Sequence, residues 1–303
     1  MRSVSYNWDF VGKRKLFFLI SAILLGAGIL SLLIQGLNLG IDFKSGTRID
    51  ISVKQPVDVE QAKKEFEKLG YEHPSVRSGQ EGKVLIFRTD EALDKEKVLQ
   101  IQKHFQQVYG DSFAGFQEQR IDPVIGRELA RNAIIATLLA SIGIILYVTI
   151  RFEYRFAVAA VLALLHDALF VIGAFSVLQL EVDVVFIAAI LTIIGYSVND
   201  TIVIFDRIRE LMDQVKPKSW EDLSRVVNVS IHQTLIRSIN TGLTVVFAGA
   251  ALFLFGGESI RYFSLALLLG LFAGTYSSLC LASQIWVVWK WRSMQRVKER
   301  PAN

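Results

Sequence analysis

The sequence predicts a polytopic α-helical membrane protein: six transmembrane helices and one ferredoxin-like α+β extracytoplasmic domain. Three observations predict it. Apolar runs at 16–35, 131–150, 155–178, 184–206, 239–256 and 262–289 reach or approach the roughly 20 residues that cross a bilayer. Residues 38–128 interrupt them with polar, strand-forming sequence in which a strand–helix–strand order occurs twice. Basic residues then alternate between loops: Lys13-Arg14-Lys15, Arg151 with Arg155, and the stretches 207–237 and 290–300 carry them, whereas Gln179-Leu180-Glu181-Val182-Asp183 has none. By the positive-inside bias both termini are cytoplasmic and residues 38–128 lie outside.

In order, residues 1–15 form a short basic cytoplasmic lead, with Trp8 and Phe10 placed for the membrane interface. The run at 16–35 is longer than the apolar region of a cleaved signal peptide. No small-residue cleavage site follows it at Gln35-Gly36-Leu37-Asn38, so it is expected to stay as span one.

In the outer segment, Arg48-Ile49-Asp50-Ile51-Ser52-Val53 alternates as a half-buried strand does. A helix follows with Ala62, Phe66 and Leu69 on one face and Gly70 as its stop, then a short strand at Ser75-Val76-Arg77. The order repeats as strand 83–88, helix 94–108 with Val98, Ile101, Phe105 and Val108 as its apolar stripe, and strand 113–120. His73 and His104 stand alone here, which predicts surface residues and no metal site.

Spans two and three are joined by a turn too short to fold alone. Spans four and five are separated by a cytoplasmic amphipathic loop at 207–238, where Trp220, Leu223, Val226-Val227 and Ile231 have helical spacing. That stripe fits a helix lying on the membrane or one packed against a partner. A cytoplasmic tail at 290–303 ends the chain. Small residues at Gly26 and Gly28, Ala159 and Ala163, and Gly270 to Gly274 permit close helix approach. The single cysteine, Cys280, excludes a disulfide framework. The formal net charge of +4 is distributed as membrane topology requires, which argues against nucleic acid as a partner.

The chemistry is concentrated in Gly195-Tyr196-Ser197-Val198-Asn199-Asp200-Thr201-Ile202-Val203-Ile204-Phe205-Asp206-Arg207. It sets Asp200 roughly 9 Å inside the Asp206-Arg207 end of span four, at about 1.5 Å per residue. A carboxylate at that depth faces protein or a wet cavity and marks an ion or proton path. Helical spacing puts Tyr196, Ser197 and Val203 on its face, with Asn199 and Thr201 beside it. Arg237, Thr241 and Thr244 form one face of span five; if that face meets the Asp200 face, guanidinium and carboxylate pair inside the bundle. Burial opposes the charge of a carboxylate and a nearby arginine favours it, so moving an always-protonated arginine toward or away from Asp200 would make the acid release and capture a proton. A static pair that fixes helix register has the same sequence. His166 and Asp167 add a second ionisable pair in span three, about 100° apart around the helix. Each either joins the Asp200 network or serves packing.

Taken together, Gly40-Ile41-Asp42-Phe43, Arg151-Phe152-Glu153, His166-Asp167, residues 195–207 and Thr234-Leu235-Ile236-Arg237-Ser238 resemble the SecF family, in order and over nearly the whole chain. SecF is the smaller partner of the bacterial SecD–SecF protein-export complex, in the resistance-nodulation-division superfamily. The resemblance implies a subunit of the bacterial inner membrane working with a SecD-like chain, a SecYEG-type translocon, exported preprotein and the lipid bilayer. It implies no enzymatic activity and no cofactor, with a proton or sodium as coupling ion. Asp200 and Arg237 match the family's proton-path residues. Lys44-Ser45-Gly46 departs from the family's usual threonine and two glycines. Two other functions fit the same features: a small-molecule or lipid exporter of that superfamily, and an intramembrane aspartyl protease using Asp167 and Asp200 as a dyad.

Overall fold

The computed structural model describes residues 8–298 apart from positions 45, 73, 80, 81, 122 and 152. His73, Ser45 of the departing loop and Phe152 of the Arg151-Phe152-Glu153 motif lie outside the described residues. In chain order come α1 (Arg14–Ile34), β1 (Asn38–Leu39), α2 (Ile41–Lys44), β2 (Gly46–Val53), α3 (Val59–Lys68), β3 (Ser75–Gly79) and β4 (Val84–Thr89). Then follow α4 (Lys95–Tyr109), a 3₁₀ turn (Gly110–Ser112), β5 (Phe113–Ile121), α5 (Pro123–Arg151), α6 (Tyr154–Val177) and β6 (Glu181–Val182). Last are α7 (Val184–Val215), α8 (Trp220–Phe255), α9 (Glu258–Ser277), a π turn (Ser278–Ala282) and α10 (Ser283–Lys298). The chain divides into an α/β unit of residues 39–136 with 181–184, and a helical unit of the remainder.

In the α/β unit, β2, β3, β4 and β5 form one antiparallel sheet in the order β3-β4-β2-β5. Alternation decides its faces: Ile49, Ile51 and Val53 of β2 and Leu85 and Phe87 of β4 enter the core beneath α3 and α4. The two helices supply Ala62, Phe66, Val98, Ile101 and Phe105, and Phe66 stacks on Phe87 with ring centroids 4.0 Å apart. Each large side chain buried this way contributes about 1.5–3 kcal/mol. Val108, expected on the same stripe, instead stays exposed at the end of α4. Asp58 and Asp94 cap the two helices by accepting from the backbone N–H of Glu60 and Lys97.

Three features of this unit were not foreseen. Gly40 N–H donates to Val182 O at 2.8 Å, joining the chain after β1 to β6. Asp42 Oδ2 accepts from Val184 N–H at 3.0 Å, at the first residue of α7, where a carboxylate suits the unpaired amides. Glu181, read only as part of a short turn without basic residues, is buried and ion-paired with Arg48 and Arg88. Gly46, the glycine kept in the departing loop, has φ +118, and a Cβ there would lie 2.1 Å from Thr89 O. That position admits only glycine. His104 is half-buried, with Nε2 at 2.9 Å from Glu65 Oε2.

The helical unit is built from long apolar helices. Six runs have the length and composition to cross a membrane: α1, α5, α6, α7, α8 and Ile260–Arg296, which joins α9 to α10 through the π turn. Helices α1 and α6 meet backbone to backbone: a Cβ on Gly28 would sit 2.9 Å from Gly173 Cα. Ser31 and Ser176 hydroxyls bond at 2.8 Å beside that contact. At the foot of α6, Phe156 stacks on Trp286 of α10 at 4.5 Å and leans on Phe205 of α7.

Two expectations need correction. The segment 207–238 is not a separate loop: α7 continues to Val215, a four-residue turn follows, and α8 runs unbroken from Trp220 to Phe255. Hydropathy marks where a helix leaves lipid, but hydrogen bonding and the Ser219–Asp222 capping box decide where it ends. The apolar stripe does not lie on a membrane either, because the protein covers Leu223, Val226, Val227 and Ile231. The other correction concerns Phe10. It is buried and packs on Phe17 and His232, and Asn228 of α8 accepts from Phe10 and Val11 N–H and donates to Asp9. Trp8 alone stays exposed.

Candidate functional site

Two buried carboxylates on neighbouring helices make up the site, and their surroundings differ. Asp167, on α6, is fully buried. Its Oδ2 accepts from Ser197 of α7 at 2.6 Å and from Ser277 of α9 at 2.7 Å, and His166 Nδ1 lies 3.0 Å from Oδ1. The carboxylate selects the imidazole tautomer with hydrogen on Nδ1, while His166 Nε2 is buried without a hydrogen-bond partner among the described residues. Small residues permit this convergence: a Cβ on Gly274 of α9 would press on Ser197 at 3.1 Å, and Gly270 is crowded by Ile193. Thr201, one turn beyond Ser197, bonds Ser278 at 2.8 Å in the π turn. Asp167 is therefore an acceptor saturated by three helices, suited to fixing their register.

Asp200 is different. It is 8% exposed, and its Oδ2 is buried without a hydrogen-bond partner among the described residues. Ser238 and Arg237 of α8 lie near it. Among the described residues no ion pair within 4.0 Å joins Asp200 to Arg237. The sequence anticipated a paired arginine inside the bundle. Instead Arg237, Thr241 and Asn199 are exposed on the helical unit, and Thr241 spends its hydroxyl on Arg237 O at 2.8 Å within α8. Tyr196 is half-buried near both Asp200 and Gly242.

The predicted set thus separates. Ser197, His166 and Asp167 join one cluster and Thr201 a neighbouring bond, whereas Asp200, Tyr196 and Arg237 stay together without direct pairing. Ser238, Ser277 and Ser278 were missed. Their signal was the hydroxyl-rich stretch Thr275-Tyr276-Ser277-Ser278 inside an apolar span, and a serine beside the singled-out arginine.

Residues 100–292, more than half of the chain, match the family model described as protein export membrane protein SecD/SecF, C-terminal. Residues 30–57 match the SecD/SecF GG motif, which contains Gly40 to Gly46. The protein translocase subunit SecF of Alicyclobacillus acidocaldarius is 41% identical over 96% of this chain and 95% of its own length.

The chain belongs to the SecF family.

It is also 50% identical to the protein translocase subunit SecDF of Bacillus subtilis, over 96% of this chain but only 39% of that longer protein. The crystal structure of SecDF from Thermus thermophilus, described as a translocon-associated membrane protein, superposes with a TM-score of 0.86 at 34% identity. That match covers 96% of this chain and 40% of the solved one. As a SecF-family member, the chain is a membrane protein of the translocase-subunit class and not an enzyme. The protease alternative falls with that assignment, and the Asp167 oxygens are in any case taken by serine and histidine donors.

Proposed function

We propose that this chain is the SecF half of a proton-driven export apparatus: with a SecD-like subunit it couples ion flow to late steps of preprotein export through a SecYEG-type translocon. The observation that carries the reading is Asp200, a buried carboxylate with an unsatisfied oxygen and, among the described residues, no ion pair to the exposed Arg237 of the next helix. A permanent pair would neutralise the acid, whereas a guanidinium free to approach and withdraw changes its proton affinity in each cycle. Arg237 and Thr241 lie on the exposed face of α8, which supports a site completed by the SecD-like chain.

In this reading both termini face the cytoplasm of a bacterial inner membrane, and the α/β unit is an extracytoplasmic domain of ferredoxin-like plan. Its β-α-β-β-α-β order with the sheet order β3-β4-β2-β5 supports that plan. It acts as a mechanical part on the emerging preprotein.

The test is export into sealed vesicles under an imposed proton gradient, alongside the yield of assembled complex. Asp200→Asn removes the titratable group at nearly constant size, and Arg237→Met removes the charge. Both variants are expected to assemble and to lose gradient-stimulated export. Normal stimulation by the Asp200→Asn complex would overturn the proton-relay role. Replacing the proton gradient with a sodium gradient identifies the ion.

A further inference from the structure

A second polar site lies well apart in sequence from the 195–207 motif, where α6 begins and α10 leaves the apolar run. Along α10, Trp289, Arg292, Ser293 and Arg296 recur at three- and four-residue spacing and so share one face. That face meets Tyr154 and Arg155 at the start of α6, and the six side chains line a cavity of about 190 Å³. Tyr154 and Trp289 pack edge to face at 5.7 Å and form an aromatic wall. The Arg155 guanidinium lies over the Tyr154 ring at 4.6 Å and donates from Nη2 to Ser293 Oγ at 2.8 Å.

The charges here do not balance. Glu153 pairs with Arg155 and with Lys290, the latter at 3.4 Å. Arg292 and Arg296 have no carboxylate partner among the described residues, and Arg155 Nε is buried without a hydrogen-bond partner. Glu153 therefore balances two of the four basic side chains here, and the cavity-lining Arg292 and Arg296 are not among them. Three guanidiniums converging on a cavity suit a tetrahedral oxyanion, which arginine binds through paired N–H donors. Tyrosine and tryptophan at the end of two membrane-length helices mark headgroup depth, and basic pockets between spans at that depth hold anionic headgroups.

We propose that Arg155, Arg292, Ser293 and Arg296, walled by Tyr154 and Trp289, form a binding site for the phosphate of an anionic phospholipid headgroup. The proposal is independent of the coupling role of Asp200. The phosphate oxygens accept from Arg292 and Arg296, both exposed where they line the cavity. The acyl chains lie along the apolar lengths of α6 and α10.

The test uses the full chain, delipidated in a mild detergent, with lipid binding read by native mass spectrometry. Phosphatidylglycerol is titrated against phosphatidylcholine, and inorganic phosphate is offered as competitor. Phosphatidylglycerol is expected to bind in preference, resisting millimolar phosphate. Arg292→Gln with Arg296→Gln is expected to weaken it roughly 25-fold, about fivefold for each basic residue beside an anionic lipid. Both positions are exposed, so the variant should keep the wild-type circular dichroism. Arg292→Lys with Arg296→Lys keeps the charge and should recover most of the affinity, which a merely misfolded variant would not do. Equal retention of the two lipids, or an unchanged affinity in the glutamine variant, overturns the proposal. Displacement by inorganic phosphate alone would make it a free-anion site. Unaltered lipid binding with loss of the SecD-like subunit would assign the arginines to an acidic protein surface.

Discussion

Ser197 donates its hydroxyl to Asp167 on the neighbouring helix, at 2.6 Å, and not to Asp200 three residues along its own helix. The two acids of the membrane region are thereby given different work. Asp167 holds α6, α7 and α9 together, and Asp200 is left with an open oxygen.

Stability should follow that division. Asp167→Ala leaves the Ser197 and His166 donors buried without that acceptor, at about 1–3 kcal/mol for each unsatisfied group, while Ser277 keeps Gly274 O at 3.2 Å. Unfolding in detergent, followed by thermal scanning, should show a large loss for Asp167→Ala. Asp167→Asn, which keeps an acceptor oxygen, should lose much less. Asp200→Asn should be nearly neutral. A ranking with Asp200 above Asp167 would contradict the assignment.

Helix contact gives a sharper pair of substitutions. A methyl group on Gly28 meets the Gly173 backbone, which has no side chain to yield, so Gly28→Ala should cost about 1–3 kcal/mol through forced separation of the helices. Gly26 has nothing within 4 Å of a built Cβ. Gly26→Ala should be neutral or slightly stabilising, and the two thermal midpoints measured together check the contact.

Glu181 offers a test in the α/β unit. Glu181→Gln leaves Arg48 and Arg88 beside a neutral buried amide, and breaking one side of a buried ion pair costs about 3–5 kcal/mol. Arg48 keeps Asp50 at 2.8 Å, which sets the expected loss at the lower end. Proteolysis of the full chain should cut within 39–136 faster in the variant.

Acid should weaken the same unit through Glu65. The Lys68 ammonium, with help from His104, holds the Glu65 carboxyl below the ordinary glutamate value against the opposing effect of burial. A depressed folded-state value means stability that is complete above the unfolded value of about 4.3 and is lost as pH falls below it. Urea midpoints of a 38–128 fragment should therefore drop below about pH 4.3 more steeply than those of its Glu65→Gln counterpart. Parallel curves would remove Glu65 from the acid response.

Much of this was legible before the structure. The alternation of Ile49 and Ile51 and the Ala62–Phe66 and Val98–Ile101–Phe105 spacings each encode a local rule, and those elements of the α/β unit formed where the rule placed them. What stayed hidden depended on partners distant in sequence. Nothing near Glu181 announces Arg48 and Arg88, and spacing on α7 cannot tell whether Ser197 turns to Asp200 or to another helix. The outward position of Arg237 was illegible for a related reason: periodicity groups residues on one face but does not say what that face meets. The length of α8 escaped because a hydropathy window stops at charged residues while backbone hydrogen bonds continue through them.

The π turn at Ser278–Ala282 lies between the serine that holds Asp167 and the tryptophan that stacks on Phe156. Wider turns of this kind take up an extra residue without rotating the helices on either side. Span six can therefore lose one residue there and still present Ser277 and Trp286 to their neighbours. Such a deletion would shorten the span by about 1.5 Å while leaving the contacts on both sides of the turn in register.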